Sequence, residues 1–137
     1  MRGNLEIVSA RLGFYSVPTE SFGVEPAESD GTARWDSTGV LVVELSAGGH
    51  AGLGYAYTAP AAASIARETL VPLVLGARAL DTRRVFEDCT RAVRNLGWPG
   101  VAASAISAVD LAMHDLAARI LDVSLHQSLG AARATVA

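Results

Sequence analysis

Ala105-Ile106-Ser107-Ala108-Val109-Asp110-Leu111-Ala112-Met113-His114-Asp115-Leu116 carries two helical stripes at once. Ala102, Ile106, Val109, Met113, Leu116 and Ile120 step by four and three, the spacing that lines one face of an α-helix. Ala105, Ala108 and Ala112 mark a second face built from small side chains. A helix apolar or small on two sides is packed on two sides. The spacing therefore predicts a central helix over about Val101 to Leu121.

The segments around it read as further helices. Upstream, Trp98-Pro99-Gly100 is a sharp connection. Before that, Asp81 suits an N-cap, and Val85, Phe86, Cys89, Val93 and Leu96 form an apolar stripe that Gly97 terminates. Earlier still, Thr58 reads as an N-cap and Pro60 as a first-turn residue, for a helix expected to stop before Pro72. Downstream, a short helical piece over Leu125 to Leu129 ends at Gly130.

The first part of the chain has strand character. Leu5 to Tyr15 mixes β-branched and aromatic residues with polar ones. Gly39 to Ser46 alternates, with Leu41, Val43 and Leu45 on one face, and Ala51 to Tyr57 places Tyr55 and Tyr57 together at period two. Gly48-Gly49-His50 supplies the positive φ of a hairpin turn. Between the first two strands, Ser16 to Thr38 reads as a long acidic loop with Glu20, Glu25, Glu28 and Asp30, and loops of that length are commonly functional. The fold class expected is α+β: a three-stranded antiparallel meander followed by three to four helices.

Composition narrows the chemistry. The chain has 137 residues and a net charge of −3, and all 11 basic residues are arginine. It offers no Schiff-base lysine, no lysine general base and no P-loop lysine. A pI near 5.5 gives no basic footprint for nucleic acid. The one cysteine, Cys89, forms no intrachain disulfide and is expected to be a buried core thiol. No uninterrupted apolar run approaches the roughly 20 residues that span a bilayer. No signal-peptide core follows Met1, and a cytoplasmic protein without a membrane or nucleic-acid partner is expected.

The Ala105–Leu116 stretch, followed by Leu125 through Gly130, resembles the end of the N-terminal capping domain of the enolase superfamily. The branch it is most similar to is the mandelate racemase and muconate-lactonizing enzyme group. Gly52-Leu53-Gly54-Tyr55, Val71-Pro72-Leu73-Val74-Leu75-Gly76 and Arg94-Asn95-Leu96-Gly97 agree with it. His114, Ala117, Asp122, Ser124 and Ser128 stand where the family usually has tryptophan, lysine, glycine, proline and leucine.

The resemblance implies that residues 1–130 are a capping, substrate-specificity domain and 131–137 a linker to a catalytic barrel that this chain lacks. In the family, the barrel takes a proton α to a carboxylate with Mg²⁺ assistance, giving racemisation, dehydration or cycloisomerisation, sugar acids being one substrate class. The expected partners are that barrel, a small-molecule carboxylate in the whole enzyme, or a second copy. The expected contribution of this chain is no catalytic residue and no metal ligand. It is Glu20, Phe22, Tyr55 and Tyr57 shaping specificity, with Asp110, Asp115 and Gly130 as structural motif residues. Asp110 and His114 are spaced to face one metal, but a structural network is favoured over a metal site. Asp115 and Arg119 are spaced for an ion pair. The chain alone is expected to be inactive, a standalone oligomerising module or a truncated product without function being the alternatives.

Overall fold

The computed structural model describes residues 5–19, 28–29, 31–133 and 135. Strands β1 (Ser9–Pro18), β4 (Ser37–Ala47) and β5 (His50–Tyr57) form an antiparallel sheet in the order β1-β4-β5. Between β1 and β4, β2 (Glu28–Ser29) and β3 (Arg34–Trp35) make a small separate ribbon. The helices follow: α1 (Ala61–Ile65), a π-helical turn (Ala66–Leu70), α2 (Val71–Val74), α3 (Thr82–Ala92), α4 (Val101–Ile120) and α5 (Leu125–Ser128). The expected α+β order is what the chain adopts.

The register explains why the sheet is two-faced. Leu41, Val43 and Leu45 pair with Phe14, Leu12 and Ala10 on one side, and with Ala56, Gly54 and Gly52 on the other. The three β4 residues have no solvent exposure, and this inner face packs under α4. The outer face carries Arg11, Gly13 and Tyr15 of β1, Val40, Val42 and Glu44 of β4, and Leu53, Tyr55 and Tyr57 of β5. An antiparallel sheet with one covered face has this alternation.

The two faces of α4 are both used. Ile106, Val109, Met113 and Leu116 are buried in the core with Val85, Cys89 and Val93, and the Ala105, Ala108 and Ala112 face is buried as well. That small face lies on β5, where a Cβ built on Gly54 would come within 2.0 Å of the Ala108 carbonyl oxygen and 2.4 Å of the Ala112 nitrogen. A Cβ on Gly52 would lie 2.3 Å from the Leu116 nitrogen. The glycine pair and the alanine face are thus two halves of one backbone-to-backbone contact. β5 thus covers the second, small-residue face of α4. By length and hydropathy α4 could cross a bilayer, but here it is the packed core helix.

Several boundaries differ from expectation. Leu5 to Ile7 is extended but pairs with the segment after α2, Ile7 N–H donating to Ala77 O at 2.9 Å and Gly76 N–H to Ile7 O at 2.9 Å. The expected loop over Ser16–Thr38 is shorter, because β1 runs on to Pro18 and β4 begins at Ser37. The first helix begins after Pro60 rather than capping on Thr58, whose N–H instead donates to Gly39 O at 2.9 Å. It also does not stop before Pro72. The π turn widens the helix just upstream, so Pro72 falls in the first turn of α2, where its missing N–H costs nothing. Asp81 accepts Val85 N–H through its main-chain oxygen, and its side chain takes Arg84 instead of capping. Leu96 lies past the end of α3 and is 60% exposed.

The ends of α4 and α5 share a geometry. Val123 N–H donates to Ala118 O at 3.0 Å and Asp122 N–H to Arg119 O at 3.2 Å, a Schellman closure with Asp122 in the left-handed region at φ +55°. An L-residue with a Cβ is strained there, and an acid sits badly at a helix C-terminus. Asp122→Gly is therefore expected to stabilise the fold by about 1 kcal/mol. That is a rise in melting midpoint of roughly 3–6 °C by calorimetry; an unchanged or lower midpoint would refute the reading. Ser124 then caps α5 reciprocally with Gln127.

Candidate functional site

Tyr55 and Tyr57 lie on the outer face at the end of β5, which the Gly52 and Gly54 contact fixes against α4. Their rings meet edge to face, with centroids 6.1 Å apart and planes at 83°. They are 50% and 70% exposed, so they are not core residues. Together with Ala56 they line an open groove of about 470 Å³, whose other wall is Ala103, Ser104 and Ser107 of α4. Ser104 Oγ donates to Gly100 O at 3.2 Å. The groove is walled by aromatic rings and hydroxyls with no charged side chain, which suits a polyhydroxylated molecule better than an ion. Glu20 and Phe22, the loop residues expected to join this surface, lie outside the described residues.

The acidic residues of α4 are engaged within the domain. Asp115 Oδ2 accepts the Leu53 N–H at 2.8 Å and the Arg119 Nε–H at 2.9 Å. The helical ion pair expected from spacing is present, but the carboxylate also reaches further, binding a main-chain donor on the edge of β5. Asp110 lies 3.8 Å from His114 Nε2. Burial pushes the Asp110 carboxyl above its usual range, and His114 partly offsets this. A carboxylate destabilised by burial and facing one histidine lacks the oxygen ligands that magnesium needs. Among the described residues, no three His, Cys, Asp or Glu side chains cluster to hold a metal. The described residues of this chain therefore do not fit a magnesium site.

The remaining candidates have structural surroundings. Cys89 is 1% exposed, and burial, helped by Asp88 and Asp110, pushes its thiol up to about 11. Such a thiol stays protonated and inert at neutral pH. Gly130, at φ +99°, ends α5, with its N–H on Gln127 O at 3.1 Å and Ala131 N–H on His126 O at 3.0 Å. His126 Nε2 meets Arg133 O at 2.9 Å and holds the segment beyond the helix. His50 borders a second open groove, of about 650 Å³, with Arg119, Asp122 and Ser124.

The sequence profile of the mandelate racemase / muconate lactonizing enzyme N-terminal domain matches residues 23–130. The chain belongs to that family. D-xylonate dehydratase of Haloferax volcanii is 32% identical over 108 residues, which are 78% of this chain and 25% of that protein. A mandelate racemase/muconate lactonizing enzyme-like protein from Rubrobacter xylanophilus superposes with a TM-score of 0.82 at 37% identity, covering 90% of this chain and 33% of that one. L-talarate dehydratase from Polaromonas sp. JS666, solved with Mg and L-glucarate, gives 0.80 at 27% identity, covering 96% and 36%. The chain thus spans about a quarter to a third of the length of these relatives. The mandelate racemase-type N-terminal domain is what the meander and helices amount to.

One signal in the sequence was missed. Ser124-Leu125-His126-Gln127 has the capping-box pattern, and it accounts for the serine that stands where the family usually has proline.

Proposed function

We propose that this domain is the substrate-specificity cap of a magnesium-assisted enzyme acting on sugar acids, a dehydratase before a racemase, and that it is catalytically silent without its barrel. The observation that carries the reading is the Tyr55 and Tyr57 pair, exposed at the end of β5 beside a hydroxyl-lined groove. Sugar acids are named in two of the relatives, as D-xylonate and L-glucarate. The relatives' remaining length has room for a barrel, which needs about 200 residues or more. In this reading residues 1–130 form the cap and 131–137 lead to the barrel. Glu20 and Phe22 of the acidic loop join the tyrosines at the substrate. The cap supplies hydroxyls and ring faces, while the metal and the proton-transferring groups come from the barrel. A cytoplasmic setting belongs to the same reading, since a chain with a single cysteine draws no stability from an internal disulfide.

An exchange of caps tests this. The chain by itself should show no turnover of any aldonic or aldaric acid with Mg²⁺. Fused in place of the native cap of D-xylonate dehydratase, it should support dehydration with an altered substrate ranking. Tyr55→Ala with Tyr57→Ala in that fusion should raise KM by roughly tenfold or more, the scale of losing one or two hydrogen bonds. Turnover by the isolated chain would overturn the proposal. So would a folded, active fusion whose ranking and KM ignore both tyrosines.

A further inference from the structure

Among the described residues, the two edges of the sheet differ in what meets their outward main-chain groups. On β5, α4 runs alongside and the Asp115 carboxylate takes up the outward Leu53 N–H in the middle of the strand. On β1 nothing comparable exists among the described residues. Thr19 N–H donates to Asp36 O at 2.8 Å, which fixes the alternation: the odd-numbered residues from 9 to 17 bond to β4, and Ala10, Leu12, Phe14 and Ser16 turn N–H and C=O outward. No described group accepts or donates to those four. At one end, Val8 N–H also donates to Ser46 O, the doubled pairing of a β-bulge, and at the other Pro18 has no N–H. Among the described residues, the free edge is therefore the seven-residue run from Ala10 to Ser16.

Its side chains carry no protection against pairing. Edge strands are usually defended by charge. The one charge here, Arg11, is neutralised by its cross-strand partner Glu44. The run is also complementary to itself. Laid antiparallel against a copy across a two-fold axis at Gly13, Ala10 faces Ser16 and Leu12 faces Phe14 in the hydrogen-bonded positions. On the outer face Arg11 meets the ring of Tyr15, and the two Gly13 residues meet on the axis. A same-patch, self-complementary contact of this kind closes at two copies. The Tyr15 ring already lies over Gly13, 58% exposed, on the side where the copy's Arg11 would arrive.

We propose that the β1 edge from Ala10 to Ser16 pairs with the same edge of a second copy of this chain, joining two three-stranded sheets into one. This inference does not depend on the assignment to sugar acids.

Sedimentation of the 137-residue chain from micromolar to millimolar concentration should show a monomer–dimer equilibrium. Amide exchange at Ala10, Leu12, Phe14 and Ser16 should slow by roughly tenfold or more across that range, while Tyr55 and Tyr57 stay unchanged. Gly13→Cys, for which the exposed Tyr15 ring must swing off the new Cβ, sets two cysteines about 4.5 Å apart at Cα, within disulfide reach, so mild oxidation should link the copies. Leu53→Cys, on the outer face of β5, should not link. Ser16→Pro removes an outward donor that the fold does not use and should leave a folded monomer by circular dichroism and sedimentation. A monomer at millimolar concentration with concentration-independent exchange would overturn the proposal. So would β1 amides protected in a monomer, which would mean that another segment of the chain covers the edge. A dimer that survives Ser16→Pro would place the contact elsewhere and equally refute it, as would a Gly13→Cys variant that links no better than Leu53→Cys.

Discussion

Gly54→Ala is expected to cost about 3 kcal/mol or more, because its methyl group has nowhere to go. It would sit 2.0 Å from the Ala108 carbonyl oxygen and 2.4 Å from the Ala112 nitrogen, closer than Cβ atoms approach backbone. The obstacle is main chain, so no side-chain rotation relieves it. Either α4 lifts from β5 or β5 leaves β4, and behind both stand Leu41, Val43 and Leu45, which have no solvent exposure. Interiors are close-packed, so a local shift here propagates. Against a typical stability of about 5–15 kcal/mol, such a loss takes a large share. Urea unfolding followed by circular dichroism measures it. Leu53→Ala, on the outer face with Leu53 49% exposed, is the control and should stay within about 1 kcal/mol of the parent. A Gly54→Ala midpoint equal to that control would show that the seam is slack.

The same seam shows where sequence reasoning reaches and where it stops. The periodicity of Ala105, Ala108 and Ala112 announces that α4 has a second packed face, and the small side chains announce a close neighbour. Neither names that neighbour. Gly52 and Gly54 were legible only as a family feature, since a glycine in a strand does not say what approaches it. The pairing of the two is a long-range fact, and periodicity is local. Pro72 failed for a related reason. The rule that a helix ends before proline assumes an α-helix, and a π turn evades it by shifting the register. Leu96 was read from a stripe that continues on paper after the helix has ended at Ala92. Asp122 and Ser124 show the opposite case. Their positions at a helix end and a helix start were readable, but they register as departures from a pattern until φ and the capping hydrogen bonds are seen. The tyrosines were placed on one face correctly, because period two is geometric. Their exposure was not readable, since it depends on what lies opposite the outer face.

Asp115→Ala is expected to destabilise the domain by about 2 kcal/mol, the scale of removing a charged acceptor from a main-chain donor. The carboxylate is 17% exposed and holds two donors, Leu53 N–H and Arg119 Nε. These two contacts differ in value. Arg119 is 58% exposed, so its ion pair contributes only about a few tenths of a kcal/mol. The Leu53 contact ties the edge strand to the core helix across 62 residues of sequence. Arg119→Ala should therefore be nearly neutral, and Asp115→Asn, which keeps an oxygen acceptor, should lose about half of what Asp115→Ala loses. Hydrogen exchange separates the contributions. In Asp115→Ala the Leu53 amide should exchange faster than global unfolding explains, and the loosening should extend to Tyr55 and Tyr57 at the end of the strand. If Arg119→Ala instead costs as much as Asp115→Ala, with Leu53 exchange unchanged in both, the spacing of Asp115 and Arg119 serves the helix alone. The aspartate would then have no part in holding the tyrosines where a substrate could meet them.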